Sequence, residues 1–565
     1  MLKNWSNKIV EISLVFLALL LFNVLANYKY GHIDLTEDKR FTLSESTKEL
    51  VKRVDDNILV QVLMEGDLAA GFKRLRASCM DLMIDFNSIN PNIEYEFYDP
   101  MDGPLELVNQ RMEQLKNLGI TPMNIRVMDG KESVEKFLFP YAILKWGSKR
   151  VVINLIESQR PGVPNEIILN NSASLLEYKM ADALYRLTAE EKPNIVFVSG
   201  NGELDLSQTA ALEKTLKDRY NTARLNLDSL YQITSQVDLL MVAKPQRRIS
   251  ERSQFIIDQY IMNGGKVIWL IDQFAVNVDS INASGFYVPR PLELGLNDLF
   301  FKYGVKIKPN LVLDLECTRI PQVTGQQGQD PQIQLFDWFY HPLVAAENNH
   351  PITKNIDLVN LFFPSTIDTV KSKSKVKKSA LLRSSEFSRF QLYPMRLNFE
   401  ILRYDPDESK FNKGQQNLAI LAEGEFESAF TNRVGSQMNA MLEEINLPFK
   451  AKSPNTTQLF VSDGDLIKNF YNSSNQQISP VGFNIFEQKA FKGNQDFIIN
   501  AIDYMTDDIG LMNSRSKEIK LHLLNTTKAK KEKRYWQLLN IVLPLLILLL
   551  FALIFNVVRR RRFTK

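Results

Sequence analysis

The stretch NIVFVSGNGELDLS, residues 194–207, combines a short apolar strand, two glycines one residue apart and the start of a helix. Many nucleotide-binding domains begin with this pattern, but a dinucleotide loop requires G-x-G-x-x-G, in which each glycine has a steric role. Gly200 and Gly202 fit, whereas Asp205 occupies the third position. Glu203 and Asp205 would also place carboxylates beside a pyrophosphate, and the helix end offers only about half a positive charge against them.

Asp228 lies near the position that a ribose-binding acid takes in a nucleotide site. The alternative is that Gly200 and Gly202 serve the backbone geometry of a tight strand-to-helix turn. We favour the turn, so the sequence predicts the architecture of a nucleotide-binding domain without a nucleotide or another cofactor.

Residues 191–313 predict a doubly wound, flavodoxin-like α/β domain, because apolar runs such as VIWLI (267–271) are typical of strands buried on both faces of a parallel sheet. Residues 314–527 are expected to add α/β elements that complete this domain. The segments TGQQGQDPQIQ (324–334) and KSKSKVKK (371–378) within them predict loops. The predicted strands are Ile195–Val198, Ala223–Leu227, Val237–Val242, Lys266–Ile271, Asn417–Ala422 and Gln458–Val461, and the predicted helices are about Ser207–Tyr220, Ser250–Met262 and Asn494–Met505.

Residues 29–190 predict a thioredoxin-like α/β domain, because their elements follow the order βαβα, three strands and a helix. The redox cysteines of that fold are missing, so only the shape is inferred. Cys79 belongs to a series with helical spacing and is expected in the core, although a disulfide to Cys317 is possible. The series is Phe72, Leu75, Cys79, Leu82 and Phe86. The later predicted elements of this domain are strands near Met123–Met128 and Lys136–Trp146 and a helix at about Ala173–Leu187.

The C-terminal segment Tyr535–Val558 contains 24 residues without a charge, and about 20 residues of helix span a bilayer core. It is followed by the basic run 559–562. The N-terminal segment 1–28 is less clear. Its apolar run Ile9–Tyr28 predicts either a transmembrane anchor, which we favour, or a cleaved signal peptide ending near Ala26.

Basic residues at both ends predict the orientation of the chain. Lys3 and Lys8 place the N-terminus in the cytoplasm, and the run 559–562 does the same for the C-terminus. The basic run 528–534 lies on the opposite side of the last span and weakens this prediction without reversing it. The body between the spans is therefore expected outside the cytoplasm. A net charge of +3 is too small to indicate nucleic-acid binding.

Catalytic and metal-binding motifs are missing from the sequence. It contains no GxxxxGK[ST] loop, no G-x-S-x-G elbow and no HExxH motif. His341 and His350 each precede a proline, which favours turns over metal sites. The segment SDGD (462–465) could hold a cation, but turn capping is the more ordinary function of such residues. We predict no catalytic residues and no metal site.

Several segments resemble the family of gliding-motility-associated ABC transporter substrate-binding (auxiliary) proteins, GldG. They occur in order over nearly the whole chain, and none is a catalytic signature. The segments are GDLAAGFKRLR, NPNIEYEFYDP, FVSGNGEL, LAILAEGEFESAFTNR, LFVSDGDLI and GNQDFIINAIDYMTDDIGLMNSRSKEIKLHLL. The resemblance implies a bacterial inner-membrane protein that works with a separate ABC ATPase and a multi-span permease, and a doubly wound domain that serves binding rather than catalysis.

The resulting hypothesis is a non-enzymatic, membrane-anchored periplasmic subunit of an ABC transporter complex. Asn540, Pro544 and Asn556 are candidate permease contacts, because polar groups in lipid prefer a protein neighbour. The alternative is that the C-terminal segment is a simple anchor. The alternatives are a tethered glycan- or peptide-binding protein that acts without an ATPase, and a degenerate hydrolase for which no nucleophile can be named. The candidate ligand or partner site lies at the carboxyl ends of the strands and comprises Ser199, Gly200, Asn201, Gly202, Glu203 and Asp272.

Overall fold

The structure, a computed structural model, is a mixed α/β protein. It describes residues 13–18, 21, 42–129, 132–157, 163–276, 278, 281, 285–327, 330–346, 350–371, 375–402, 404–472, 477–516 and 526–563. The chain divides into two compact units, Met1–Lys517 and Glu518–Lys565.

A four-stranded mixed sheet forms the beginning of the first unit. Its strand order is β2-β1-β5-β6, in which β1 and β2 are parallel and β5 is antiparallel to both β1 and β6, while β3 and β4 form a separate hairpin. The helices are α1 Glu45–Lys52, α2 Ala70–Ile89, α3 Leu105–Asn117, α4 Asn165–Ser174 and α5 Leu176–Thr188, and the strands are β1 Ile58–Val62, β2 Ile93–Phe97, β3 Met123–Asp129, β4 Glu132–Leu138, β5 Tyr141–Trp146 and β6 Lys149–Asn154.

Helix α2 buries the predicted apolar face. Leu75, Cys79 and Phe86 are almost fully buried, and Phe72 packs at the margin of the same core. Cys79 and Cys317 are free, so the structure does not contain the possible disulfide. Burial raises the pKa of the Cys79 thiol to about 12, which makes Cys79 an inert core residue.

The rest of the first unit begins with β7 Asn194–Ser199, α6 Leu206–Leu216, β8 Asn221–Asn226, β9 Leu239–Ala243, α7 Glu251–Met262 and β10 Lys266–Leu270. There follow β11 Phe274–Ala275, β12 Arg290–Pro291, α8 Asn297–Lys302, β13 Val305–Ile307, β14 Asn310–Asp314, β15 Cys317–Gln327, β16 Asp330–Val344, β17 Val359–Asn360, β18 Ile367–Thr369, β19 Val376–Arg383 and β20 Ser388–Leu392. The last elements of this unit are β21 Asn417–Glu427, α9 Ser436–Glu444, β22 Lys452–Val461, β23 Tyr471–Asn472, β24 Gln477–Ile478, β25 Phe483–Asn484, β26 Lys489–Ala490 and α10 Lys492–Thr506.

A seven-stranded sheet with the order β19-β21-β22-β10-β9-β7-β8 is the centre of this part. The strands from β8 to β22 are parallel, and β21 and β19 continue the sheet antiparallel. All residues of β9 are buried, and they alternate between two apolar clusters: Leu239 and Met241 face one, Leu240 and Val242 the other. Strands from residues 376–461 thus belong to the same sheet as those from residues 194–270.

The five parallel strands follow the doubly wound order 2-1-3-4-5, with β7 as the first strand. In such sheets the connections reverse direction between the first and third strands, here β7 and β9, and ligands usually bind outside the carboxyl ends at that point. The fold therefore places residues 199–205 and 244–250 at the expected ligand edge.

Some predictions from local patterns are wrong. The described residues of the predicted loop 324–334 belong to the hairpin of β15 and β16, because tertiary pairing accommodates a polar strand. His341 lies inside β16 and is fully buried, whereas His350 begins a turn as predicted. The predicted strand Lys136–Trp146 is interrupted at Pro140, and Lys377 and Lys378 of the predicted loop 371–378 belong to β19.

The second unit contains helix α11, Thr526–Phe563. Within the described residues, one helix, Lys531–Arg561, is long and apolar enough to cross a membrane. Its apolar side chains are exposed; those of Leu545 and Phe551, for example, are 59% and 67% exposed. The predicted N-terminal anchor lies largely outside the described residues, so the structure describes only this one candidate span.

Candidate functional site

The turn after β7 has the tight geometry that its glycines suggest. Gly200 and Gly202 have φ angles of +116° and +81°, in the left-handed region that side chains rarely occupy. A Cβ on Gly200 would lie 2.8 Å from Asn226 Oδ1, and one on Gly202 would lie 3.1 Å from the Cβ of Gln246. Both glycines are therefore required by the backbone and its close neighbours.

Asn201 ties this turn to the loop that follows β9. Its backbone N–H donates to Glu203 Oε2 at 2.6 Å, and its Nδ2 donates to Oε1 at 3.1 Å. The carbonyl of Asn201 accepts bonds from the N–H groups of Gln246 and Arg247, both at 2.9 Å, and the Arg247 guanidinium donates to Gly200 O at 3.0 Å. The polar groups of the turn are thus largely engaged by the chain itself.

The N-terminus of α6 is also occupied by the chain. Asp205 and Gln208 form a capping box: Gln208 N–H donates to Asp205 Oδ1 at 3.0 Å, and Asp205 N–H donates to Gln208 Oε1 at 3.1 Å. The hydrogen bond from the Ser207 hydroxyl lowers the pKa of Asp205. The ionised carboxylate takes the position that a phosphate would need at this helix end.

Asp272, which follows β10, belongs to a charged cluster at the same edge of the sheet. Its Oδ1 accepts a bond from Gly464 N–H at 2.6 Å, and its Oδ2 lies 3.3 Å from Lys244 Nζ. Lys244 also forms an ion pair with Asp465, whose other oxygen lies 3.4 Å from Lys468 Nζ. The cluster joins the ends of β9, β10 and β22.

Asp463 is the most deeply buried carboxylate of this charged cluster. It caps the turn by accepting the Asp465 N–H at 2.7 Å, as predicted for SDGD, and its other oxygen accepts the Phe362 N–H at 2.8 Å. Burial, followed by repulsion from Asp272 and Asp465, raises its pKa well above the usual range. Burial also raises the pKa of Asp272, whereas Lys244 and Lys468 hold that of Asp465 below its usual value despite burial.

Because Gly464 has no side chain, Lys244 can lie across the turn formed by residues 462–465. A Cβ at this position would stand 2.6 Å from Lys244 Cγ and 3.0 Å from Asp272 Oδ2. Lys244 itself has a φ of +55°, an uncommon backbone conformation for a residue with a side chain. The side chains of the cluster are therefore closely packed around Gly464. In the part of the chain that the structure describes, no group of acidic, histidine or cysteine side chains has the geometry of a metal site.

The structure thus places all the predicted residues at one edge of the sheet. The loop that follows β9 connects them, since Lys244 reaches Asp272 while Gln246 and Arg247 hold Asn201. Sequence reasoning missed Lys244, because a single lysine after a strand carries no motif. The signal available was SDGD, whose carboxylates require a cation once they are buried.

A cavity of about 680 Å³ lies at the opposite, amino edge of the sheet. Tyr231, Phe255 and Tyr260 contribute aromatic side chains to its wall, and Leu442 and Leu447 close another side. Its size is that of a small-molecule pocket. The predicted ligand residues do not line this cavity.

In α11, the three predicted permease contacts are exposed. At about 100° per residue, Asn540 and Pro544 share one face of the helix, whereas Asn556 lies about 160° round from Asn540. One neighbouring helix could therefore contact Asn540 and Pro544, and a second neighbour would be needed to contact Asn556.

The chain is similar to known proteins in sequence and, more distantly, in structure. Residues 192–501 match the model of a family described as ABC-type uncharacterized transport system, and residues 37–145 match a domain of unknown function. An uncharacterized protein from Borreliella burgdorferi is 22% identical over 463 residues, which cover 79% of this chain and 84% of that protein. Among solved structures, the mmIFT52 N-terminal domain matches with a TM-score of 0.30 and 13% identity over 55% of this chain and 97% of that one.

Proposed function

Because the chain belongs to the family described as ABC-type uncharacterized transport system, we propose that it is a non-enzymatic, membrane-anchored subunit of an ABC transporter complex associated with gliding motility. The observation that carries the proposal is the family match over residues 192–501, which include the whole seven-stranded sheet. The family suggests a transport-associated role without catalysis. The sequence segments that resemble GldG supply the finer assignment to gliding.

The membrane attachment follows from α11. Its apolar side chains are exposed in the part of the chain that the structure describes, and lipid or other membrane helices would remove them from water. The basic run 559–562 favours a cytoplasmic C-terminus. We propose a second anchor within residues 1–28, a cytoplasmic N-terminus and a periplasmic body in the bacterial inner membrane.

The body would consist of a thioredoxin-like domain over residues 29–190 and a flavodoxin-like domain over 191–313 that residues 314–527 complete. The strand order β2-β1-β5-β6 supports the first part, and the 2-1-3-4-5 order of the parallel strands supports the second. Capping and ion pairing at the carboxyl edge favour a surface that contacts a protein over a site for chemistry.

The partners would be an ABC ATPase subunit and a multi-span permease subunit. In the membrane, the face with Asn540 and Pro544 would contact the permease, and Asn556 would serve a second neighbour. Outside it, the edge formed by Ser199–Glu203 and Asp272 is the candidate contact surface.

The test is purification of the full-length tagged chain from its own membranes in mild detergent. An ATPase and a permease are expected to copurify in fixed ratio. Asn540→Leu is expected to reduce their recovery, and the conservative Leu546→Ile serves as the matched control. Recovery of the chain alone under several mild conditions would contradict the proposal.

The cavity at the amino edge favours a second candidate, a tethered glycan- or peptide-binding protein that acts without an ATPase. Aromatic rings such as Tyr231 can pack on the apolar face of a sugar or on a peptide side chain. Thermal stabilisation by cell-wall fragments, without any copurifying ATPase, would support this alternative over the transporter subunit.

A further inference from the structure

A cleft of about 290 Å³ lies where the first, four-stranded part of the body meets the part with the seven-stranded sheet. Strand β6 and helix α5 form one wall, and α10, Arg219 and the end of the first unit form the other. Among the described residues, four cationic side chains and two carboxylates line this seam cleft. They are Lys179, Arg186, Arg219 and Arg515, and Asp182 and Asp503.

The two carboxylates of the seam cleft are already engaged. Asp503 forms an ion pair with Arg219 at 2.6 Å and accepts bonds from the hydroxyls of Tyr220 at 2.6 Å and Tyr178 at 3.3 Å. Asp182 pairs with Arg219 and, at 3.0 Å, with Arg186. Burial alone would lower the pKa of Arg219, but Asp503 and Asp182 raise it well above the usual value, so its charge is fixed.

Lys179 has its own counter-charge. Its Nζ lies 2.8 Å from Glu157 and donates to the carbonyls of Asn154 at 2.9 Å and Ile156 at 3.3 Å. Burial lowers the pKa of Lys179, which these partners partly offset. With Glu157 included, the carboxylates neutralise every cation of the seam cleft except one.

The remaining cation is Arg515, which is 9% exposed. Its guanidinium donates to Asn500 Oδ1 at 2.8 Å and to Lys354 O at 3.0 Å, and it lies 5.3 Å from the ring centre of Tyr178. Within the described residues, its Nε is buried without a hydrogen-bond partner and no carboxylate forms an ion pair with its guanidinium. A buried charge without a counter-ion is costly, and a planar guanidinium is suited to oxyanions.

We propose that the seam cleft binds a small phosphate-type oxyanion on Arg515. The ligand would complete the charge balance and join the two parts of the body, as ligands between domains commonly do. The chemistry of the site is that of a phosphate group, which either a soluble phosphate or a phospholipid headgroup could supply. This inference does not depend on the proposed transporter partners.

The test compares the melting temperature of the full-length chain, in uncharged detergent, in sodium phosphate and in sodium chloride of equal ionic strength and pH. Saturating phosphate is expected to raise it by about 2–3 °C. Arg515→Gln should abolish this rise, and Arg515→Lys should keep a smaller one. Arg433→Gln, which changes an exposed arginine paired with Asp298, should leave the rise intact.

Direct binding is measured by broadening of the phosphorus-31 NMR line of inorganic phosphate, which also covers the case in which Arg515→Gln does not fold. If the wild-type chain broadens the phosphate line and added glycerol phosphate reverses this broadening, the phosphate group comes from a soluble ligand. Stabilisation only in nanodiscs with phosphatidylglycerol, relative to phosphatidylcholine, would identify a lipid headgroup if Arg515→Lys weakens it. The proposal is overturned if neither source acts on the wild type, or if folded Arg515→Gln responds fully.

Discussion

Ser46 and Gly510 are separated by 464 positions in the sequence, yet the Ser46 hydroxyl donates a hydrogen bond to the carbonyl of Gly510 at 3.3 Å. Ser46 lies in the first turn of helix α1, and Leu511 packs into the same apolar core as Leu50. The first and last described segments of the body therefore lie close together. A body with this arrangement can be anchored at both ends by a single membrane.

This convergence leads to a prediction about topology. Protease added to spheroplasts should digest the body and leave a small C-terminal fragment that carries an epitope tag placed after Lys565, because the tag is expected in the cytoplasm. Immunoblotting checks the fragment, and a cytoplasmic marker protein confirms that the membrane stays closed. An intact body with a clipped tag would show the inverse orientation.

The N-terminal anchor can be tested by truncation before Thr526, which removes α11 together with the basic run 528–534 at its start. The shortened chain is expected to stay in the membrane fraction after a carbonate wash, because residues 1–28 would hold it. Fractionation followed by immunoblotting measures the distribution. Release into the periplasm with a shortened N-terminus would instead identify a cleaved signal peptide.

Lys244 is expected to be a major contributor to stability. Lys244→Met leaves Asp465 and Asp272 buried without their shared cation, and breaking a buried ion pair typically costs about 3–5 kcal/mol. Denaturant unfolding measures the loss. Lys468→Met is the matched control, because Lys468 forms an ion pair with one carboxylate, Asp465, at 3.4 Å, and Lys244 still neutralises that carboxylate. This ion pair should contribute about 1 kcal/mol or less.

Gly464→Ala tests how tightly the side chains of this charged cluster pack around Gly464. The added Cβ would stand 2.6 Å from Lys244 Cγ, so the lysine must move away from its carboxylates. Inserting a group into such a tightly packed site costs about 1–3 kcal/mol. Gly435→Ala, where a Cβ meets nothing within 4 Å, should change the unfolding midpoint much less. Equal effects of the two substitutions would contradict this account of the cluster.

Local sequence patterns are sufficient to predict strands that are apolar throughout and helices with one apolar face. The apolar run of β10 and the helical spacing around Cys79 predicted buried elements that the structure contains. The hairpin of β15 and β16 was missed, because glutamines alternate with apolar side chains near its tip and the pairing of the two strands is visible only in the fold.

The charged clusters could not be predicted for a different reason. Lys244 and Asp465 are 221 positions apart, and Arg219 and Asp503 are 284 positions apart. Each is an ordinary charged residue in its local context. Their meaning depends on which strand ends or helices become neighbours, and a single sequence does not reveal such pairings.

His341 supplies the final prediction, which concerns pH. The ring is fully buried beside Phe362, Phe363 and Phe486, and neither of its nitrogens has a hydrogen-bond partner among the described residues. Burial lowers its pKa from 6.5 to about 3, although the charge of Asp465 opposes the shift. The folded state therefore keeps the ring neutral, while the unfolded state binds a proton below about pH 6.5.

The sign of the effect follows from this difference in bound protons. The contribution of His341 is constant above about pH 6.5, and as the pH falls from there towards 3 the stability decreases. At pH 5 the loss from this residue is about 2 kcal/mol. His341→Phe removes the titrating group but keeps an aromatic ring among aromatic neighbours, so its stability should fall less between pH 7 and pH 5 than that of the wild type.

The measurement is denaturant unfolding of both chains at the two pH values. Comparing the change with pH, rather than the absolute stability, cancels any cost of fitting the larger phenyl ring. His350→Gln is the control, because His350 is only half-buried and its removal should alter the pH dependence less. If His341→Phe and the wild type lose the same stability on acidification, the buried ring is not the neutral group that the structure describes.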